Sequence, residues 1–257
     1  AHRFAGQLII EFVRASRADD AYDNLYPMMR TFVTELENAR DLDALCRLAV
    51  REVKRITGFG RVKIYRFDAE GNGLVLAEEA DPGYASYLGL RFPAADIPAQ
   101  ARRLYCTNLI RVIQDANYRP ARMVPPLNPQ TGAPLDLSFA ALRSVSPVHL
   151  QYMRNMGTLA SMSLSILVDG QLWGLISCHD ASPRQVSYQT RTACELLGRI
   201  LALQIEAKET AMLAQRKLEL RRQVVQLLAA MADRDSVVEG FRSLPDVVLE
   251  FARASGA

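Results

Sequence analysis

The stretch Ser161-Met-Ser-Leu-Ser-Ile-Leu-Val-Asp-Gly-Gln-Leu-Trp-Gly-Leu-Ile-Ser-Cys178 decides the fold. Two largely apolar segments, Ser161–Val168 and Leu172–Cys178, flank Asp169-Gly170, which is a strong signal for a two-residue turn. The sequence therefore predicts a β-hairpin here. Earlier in the chain, Arg61–Phe67 alternates in polarity and predicts another strand, with Gly71–Ala77 as its hairpin partner.

Helical periodicity flanks these hairpins on both sides. From Leu25 to Thr57 apolar residues recur at helical spacing, and a break at Asn38 or Asp41 predicts two helices. From Ser187 to Met231 only Gly198 interrupts a helical pattern of about 45 residues, which indicates a spine between domains or a dimer seam. The order helix, strand, strand, insertion, strand, strand, helix predicts an α+β fold, with helices packed on an antiparallel sheet.

The segment Tyr84–Asn155 between the hairpins has a different composition. It carries eight prolines, which forbid regular structure over much of its length. Apolar residues are interleaved with the prolines, at Phe92, Ile97, Leu104, Tyr105, Ile110, Leu127, Phe139 and Leu142. Long irregular insertions in compact domains are usually functional or disordered, and this much apolar anchorage favours a segment wrapped around a ligand.

The chain start and the composition bound the class of protein. Gln7–Val13 is short and β-rich, so we expect it to be the last strand of a domain otherwise outside this chain, which would be part of a longer protein. A net charge of +3 argues against a nucleic-acid backbone as the main partner. Four widely spaced cysteines without a CxxC pair favour a reduced, cytoplasmic setting. No apolar run approaches the about 18–20 residues that span a bilayer.

Candidate binding residues gather in the insertion and on the hairpin predicted to face it. Asp96 lies in Pro93-Ala-Ala-Asp-Ile-Pro98, where the second proline restricts the backbone before it. Ser161 and Ser163 share one face of their strand because side chains alternate with a period of two. The other candidates are histidines, arginines and aromatics: His149, His179, Arg111, Arg143, Tyr65, Phe92, Tyr105 and Tyr152. Aromatic walls with cationic and hydroxyl donors suit a large, flat anion.

Each candidate also has an ordinary structural interpretation. An aspartate between prolines is more often a turn or cap residue, and aromatics at such spacing are usually core. The residues alone leave both interpretations open. A hydrolase that uses Asp96 with His149 or His179 is disfavoured, because the chain has no nucleophile elbow, no HExxH and no clustered ligand spacing. It also has no kinase motif, so we expect no enzyme activity in these residues.

Three motifs resemble those of the bacterial phytochromes. Pro93-Ala-Ala-Asp-Ile-Pro-Ala-Gln-Ala-Arg-Arg-Leu-Tyr105 is similar to the signature around the family's pocket aspartate. Leu142-Arg-Ser-Val-Ser-Pro-Val-His-Leu-Gln-Tyr-Met-Arg-Asn-Met-Gly157 is similar to its chromophore-pocket motif, and Leu172-Trp-Gly-Leu-Ile-Ser-Cys-His179 to its closing strand. The resemblance implies a GAF-type antiparallel sheet flanked by helices, a long irregular insertion around the ligand and a long C-terminal linker helix. It also implies three parts: the end of a PAS domain (1–17), a bilin-binding GAF domain (18–209), and a linker helix with the start of a PHY domain (210–257).

The resemblance implies a role for each candidate toward a biliverdin cofactor. Asp96, with Ile97 and Pro98, belongs to the motif that holds the pyrrole nitrogens. His149 would lie beside the pyrrole water and a propionate, and His179 would bond the carbonyl of the terminal D ring. The remaining assignments are Arg111, Arg143, Ser161 and Ser163 to the propionates, Tyr65, Phe92 and Tyr152 to the D ring, and Tyr105 behind the aspartate motif.

Two departures from the family pattern carry expectations of their own. Val148 replaces the cysteine that precedes the pocket histidine in plant and many cyanobacterial phytochromes, so no thioether can form there, and Cys106 is the one candidate for an adventitious link. Asp180 follows His179 where a second histidine is common, and we expect it to alter the electrostatics near the D ring.

The resemblance further implies a cytoplasmic red/far-red photoreceptor without nucleic-acid or membrane partners. We expect a homodimer through the GAF and linker helices, which signals to a downstream output module, a histidine kinase with its response regulator. The alternative is a non-photosensory GAF domain that binds a cyclic nucleotide or serves as a dimerisation module.

Overall fold

The computed structural model describes residues 1–13, 22–232 and 236–252. The chain forms two compact units, Ala1–Glu206 and Ala207–Ala257. The described strands are β1 (His2–Phe4), β2 (Gln7–Ile9), β3 (Arg61–Phe67), β4 (Gly73–Ala80), β5 (Arg91–Phe92), β6 (Ile110–Ile113), β7 (Ala160–Val168) and β8 (Gln171–Asp180). The described helices are α1 (Tyr22–Glu37), α2 (Leu42–Thr57), α3 (Ala99–Thr107), α4 (Pro147–Asn155), α5 (Tyr188–Ala232), α6 (Val237–Ser243) and α7 (Pro245–Ala252). The predicted boundary between residues 17 and 18 lies outside the described residues.

Six strands form one antiparallel sheet in the order β5-β4-β3-β8-β7-β6. The two predicted hairpins, β3–β4 and β7–β8, meet in the middle of this sheet through the β3–β8 pair. Asp169 and Gly170 both have positive φ, 50° and 71°, as the tight turn between β7 and β8 requires. The predicted α+β class with an antiparallel sheet and flanking helices is confirmed.

Some predicted boundaries differ from the structure. β4 runs from Gly73 to Ala80 rather than from 71 to 77, because Asp68–Asn72 forms the turn: the Asp68 Oδ1 accepts from the Asn72 N–H at 2.8 Å. The strand predicted over 7–13 is only Gln7–Ile9, and it pairs with β1, a strand that the sequence pattern did not predict. The insertion is more ordered than predicted, since it contains β5, α3, β6 and α4.

The break between α1 and α2 has a capping explanation. Asp41 is the N-cap of α2, and its carboxylate accepts from the Ala44 N–H at 2.8 Å, an interaction typically worth about 1 kcal/mol. Gly58 ends the helix in the left-handed conformation at φ 66°, which glycine adopts without strain. The sequence prediction of two helices divided at Asn38 or Asp41 is confirmed.

The two faces of the sheet have different partners. Alternate strand residues pack with α1, α2 and the start of α5 in the main core, among them Val62, Ile64, Met162, Leu164, Ile166, Ile176 and Cys178. The helices contribute residues such as Leu36, Leu45, Val53, Leu197 and Ile205. The residues between these on each strand face the other way, and that second face forms the floor of the candidate site.

The insertion is fastened over this second face. The Ser165 hydroxyl on β7 donates to the Tyr105 carbonyl of α3 at 2.7 Å. Helix α4 is held by a second small core of Ile113, Ala116, Leu150 and Met153. The segment before α4 also contacts the start of the chain, where the Leu142 N–H donates to the Glu11 carboxylate at 2.6 Å.

Candidate ligand-binding site

The floor of the site is a polar sheet face that is buried from solvent. Lys63, Ser161 and Ser163 are each at most 8% exposed, although they alternate with apolar core residues on the same strands. Ser177 and His179 lie on the same face of β8, since they alternate with Ile176 and Cys178. Burying polar groups is costly unless they are bonded. A polar floor of this kind is therefore typical of a binding site rather than of a packing surface.

Two adjoining cavities lie between this floor and the insertion, with volumes of about 100 Å³ and about 560 Å³. Together they fall in the range of small-molecule pockets. Shared lining residues join them: Asp96, Ile97, Tyr105, His149, Tyr152, Ser161 and Ser163. The smaller cavity adds Tyr65, Phe92 and His179, and the larger adds Pro98, Arg111 and Arg143. The structure thus brings all the candidate binding residues around one pair of cavities, while their roles toward a ligand remain predictions.

The larger cavity is lined by two arginines, Arg111 and Arg143, as well as by Asp96. Arg143 donates to the carbonyls of Ala140 and Ser138 at 2.9 and 3.3 Å, which fixes its guanidinium against the insertion. Arg111 makes only long contacts, 3.5 and 3.4 Å, to the carbonyls of Arg143 and Ser144, and its buried Nη1 has no partner among the described residues. Burial lowers the pKa of both groups, and the nearby Arg143 lowers that of Arg111 further. Such a pair favours an anion at this position.

Burial disfavours the charged form of both histidines of the site. Burial, followed by the positive charges of Lys63 and Arg61, holds the pKa of His179 well below its usual 6.5. Burial and then Arg111 lower the pKa of His149. The His179 Nε2 lies 3.1 Å from the Ser177 hydroxyl, and its buried Nδ1 has no partner in the described part of the chain. His179 therefore offers a free ring nitrogen to a ligand.

Asp96 lies on a short turn whose backbone is held by hydrogen bonds. Its N–H donates to the Pro93 carbonyl at 3.0 Å. The Arg102 Nη1 donates to the carbonyl of Ile97 at 2.6 Å and to that of Ala94 at 3.3 Å. Arg102 thus restrains the loop in addition to the two prolines.

Aromatic rings close the smaller cavity. The rings of Tyr65 and Phe92 have centroids 5.8 Å apart, and burial followed by the Asp96 carboxylate raises the pKa of Tyr65 to about 12. Gly73 leaves room for Tyr65, because a Cβ there would lie 1.6 Å from its ring. The rings of His149 and Tyr152 stack at 6.2 Å between centroids. These flat surfaces suit a planar ligand.

Sequence reasoning missed several lining residues of the smaller cavity: Lys63, Met153, Met156, Thr158, Leu175 and Ser177. The period of two along β3 and β8 could have identified Lys63, two residues before Tyr65, and Ser177, two residues before His179.

Asp180 lines neither cavity, and its effect on the electrostatics near the D ring stays a prediction. Its carboxylate accepts from the Arg184 Nε at 2.8 Å, the Ser182 N–H at 2.9 Å and the Gly60 N–H at 3.2 Å. Asp180 therefore ties together the end of β8 and the start of β3. It has this structural role because it follows His179 on the strand and so belongs to the opposite face.

Residues 1–13, 22–232 and 236–252 contain no cluster of three or more His, Cys, Asp or Glu side chains placed to hold a metal ion. Within the same residues, no helix combines the length and apolar character needed to cross a bilayer.

Comparison with known proteins supports the family resemblance. The family model described as "GAF domain" matches residues 41–208. The chain is 39% identical to Cyanobacterial phytochrome B of Nostoc sp. over all of this chain and 34% of the relative, and 44% identical to a bacteriophytochrome of Pseudomonas aeruginosa over 71% of this chain and 25% of the relative. The chain thus spans about a third or less of these relatives' lengths.

Solved structures give the same result. The chromophore-binding domain of an unusual bacteriophytochrome from R. palustris is 50% identical, with a TM-score of 0.72 over 74% of this chain and 63% of that one. The photosensory core module of the Stigmatella aurantiaca phytochrome is 45% identical, with a TM-score of 0.80 over 93% of this chain and 47% of that one. The chain therefore belongs to the GAF domain family, and it carries a GAF domain of the bacterial phytochrome type.

Proposed function

We propose that the chain binds biliverdin in the two adjoining cavities and acts as the light-sensing part of a red/far-red photoreceptor. The observation that carries this proposal is the distribution of polar atoms without partners along the site. Among the described residues, neither the Nη1 of Arg111, which lines the larger cavity, nor the Nδ1 of His179, which lines the smaller one, has a hydrogen-bond partner. A linear tetrapyrrole with carboxylates on its middle rings and a carbonyl on each terminal ring matches such an arrangement.

The propionates of the ligand would bind in the larger cavity. Arg111 and Arg143 supply the cationic donors, and Ser161 and Ser163 supply hydroxyls beside them on β7. Charge-assisted hydrogen bonds of this type are about twice as strong as neutral ones. Because the guanidiniums repel each other when no anion is present, binding also relieves an unfavourable interaction.

The other residues would contact the pyrrole nitrogens in the middle of the ligand and its terminal D ring. Asp96, with the backbone of Ile97 and Pro98, faces both cavities and would stabilise protonated pyrrole nitrogens, with Tyr105 behind it. His149 would bond a propionate and an ordered water, and His179 the carbonyl of the D ring. Tyr65, Phe92 and Tyr152 would enclose that ring. Absorption of light and isomerisation about a double bond are the chemistry that a bound bilin supplies; the protein binds, protonates and orients it.

Signal transmission would use the long helix α5. We assign residues 1–17 to the end of a PAS domain, 18–209 to the GAF domain and 210–257 to the linker helix and the start of a PHY domain. Leu196 and Leu203, seven residues apart and so on one helix face, are 47% and 65% exposed, which supports a homodimer through this helix. In the full-length protein, a cytoplasmic histidine kinase is the proposed output, while these residues would have no enzyme activity themselves.

A titration tests the ligand assignment. Biliverdin added to the protein should produce a saturable red absorption band, whereas cyclic nucleotides should neither bind in calorimetry nor displace the pigment. Binding of a cyclic nucleotide without any biliverdin band would favour the alternative GAF function instead.

A further inference from the structure

Lys63 is a buried lysine on the floor of the smaller cavity. Its residue is 6% exposed and lies on β3, on the same face as Tyr65. Lysine is rarely buried to this extent unless it is paired, because removing an ammonium from water is costly. Burial, followed by the charge of Arg61, lowers the pKa of Lys63 to about 8, while Glu78 opposes this shift. The side chain therefore still carries its proton at neutral pH.

No partner of opposite charge satisfies this ammonium among the described residues. Glu78, the nearby acid, pairs with Arg61 at 3.1 Å, and both of these side chains are 5% exposed. The same carboxylate accepts from the Ser86 hydroxyl at 2.6 Å and the Tyr87 N–H at 2.8 Å. The Glu78 carboxylate thus already pairs with Arg61 and accepts hydrogen bonds from the loop after β4.

The contacts that Lys63 does make are to aromatic rings. Its Nζ lies 4.6 Å from the centroid of Tyr87 and 5.7 Å from that of Phe92. Ring faces attract a cation, but an ammonium has three N–H donors that call for oxygen or nitrogen acceptors. The described residues supply no such acceptor to Nζ, which leaves donor capacity for a ligand.

The position of Lys63 indicates which part of a ligand it would contact. Lys63 is directly opposite Ser177 in the β3–β8 pair, and His179 lies two residues further along β8 on the same face. Lys63, Ser177 and His179 line only the smaller cavity, whereas Arg111 and Arg143 line only the larger one. The carboxylates of a ligand belong with the two arginines. A single cation beside a neutral imidazole and a hydroxyl instead suits an uncharged carbonyl oxygen.

We propose that Lys63 is a ligand-binding residue that donates a hydrogen bond to the terminal-ring carbonyl of the bilin, on the side opposite the two arginines. This proposal rests on the proposed function. It adds a fixed positive charge at one end of the conjugated system, and a charge there changes the energy gap that the pigment absorbs. Lys63 would therefore determine both the affinity for the pigment and its absorption maximum.

The test compares two lysine variants of the chain after incubation with biliverdin. Lys63→Met keeps most of the apolar stem and removes the charge, while Lys54→Met serves as the control, since Lys54 pairs with Asp81 and lines neither cavity. Lys63→Met should bind biliverdin about 10- to 100-fold more weakly and shift the red maximum, and Lys54→Met should do neither.

A second measurement uses the unaltered protein, so that it tests the proposal even if the Lys63→Met variant does not fold. Reductive methylation followed by mass spectrometry should modify Lys63 in the free protein and spare it in the loaded protein, while Lys54, Lys208 and Lys217 react equally in both. Equal modification of Lys63 in both states, together with an unchanged spectrum in Lys63→Met, would overturn the Lys63 assignment and leave the proposed function standing. If the unaltered protein develops no red band, the proposed function itself fails, and the Lys63 proposal falls with it.

Discussion

Replacing Arg111 by alanine should weaken biliverdin binding without weakening the fold. Arg111 makes only long contacts within the protein, 3.4 and 3.5 Å to two carbonyls, and its Nη1 is unpartnered among the described residues. Its loss therefore removes little internal hydrogen bonding and relieves repulsion with Arg143. A charge-assisted bond to a propionate is worth about 1.5–3 kcal/mol, which corresponds to a roughly 10- to 150-fold increase in Kd.

The assay has two parts that separate binding from stability. Biliverdin titrations followed by absorption give the Kd, and thermal unfolding of the free proteins gives Tm. Arg119→Ala is the matched control, since Arg119 is exposed and lines neither cavity. Arg143→Ala should lose affinity and also loosen the insertion, because Arg143 donates to the Ala140 carbonyl at 2.9 Å. If Arg111→Ala binds as tightly as the parent protein, the propionate assignment is wrong.

Three further predictions concern the photochemistry, the attachment and the pH dependence of the protein. Asp96→His should still bind biliverdin, since the arginines and aromatic walls remain, but should lose red-to-far-red conversion and fluoresce more strongly; full conversion would mean that Asp96 is only a turn residue. Biliverdin should bind these 257 residues non-covalently, because none of the four cysteines, including the exposed Cys106, lines either cavity. A zinc-fluorescent band that survives denaturing electrophoresis would contradict this, and its loss in Cys106→Ala would locate the link. The free protein should lose stability as pH falls below about 6.5, because the lowered pKa of His179 means that the unfolded state binds the proton first. His179→Gln should flatten that dependence in denaturant titrations between pH 5 and 8, and an unchanged slope would show that His179 is not responsible.

The hairpins and helices were predictable because local signals determine them. The turn residues Asp169-Gly170 and the N-cap Asp41 act on their immediate neighbours, so sequence periodicity identified both hairpins and the break between α1 and α2. The short elements of the insertion were not predictable in the same way. Helix α3 is pinned by a bond from Ser165, 60 residues further along the chain, to Tyr105, which no local pattern reveals.

The candidate site was likewise only partly predictable from the sequence. The structure places the candidate binding residues around the two cavities, but several further lining residues were overlooked, Lys63 and Ser177 among them. In the sequence, Lys63 has the pattern of an ordinary exposed residue on an alternating strand. The face of β3 that carries it is buried only because the insertion packs over that face. The ion pair between Asp180 and Arg184 was not predicted either, because it depends on Asp180 facing away from the site on β8.

The most direct test of the central claim is a light-minus-dark difference spectrum of the protein incubated with biliverdin. Red illumination should deplete the red band and raise absorbance at longer wavelength, and far-red illumination should restore the starting spectrum over repeated cycles. The Asp96→His variant, recorded under the same lamp, provides a pigmented control with blocked conversion. A protein that takes up biliverdin but shows no reversible change under either illumination would contradict the proposal that this chain is the light-sensing part of a photoreceptor.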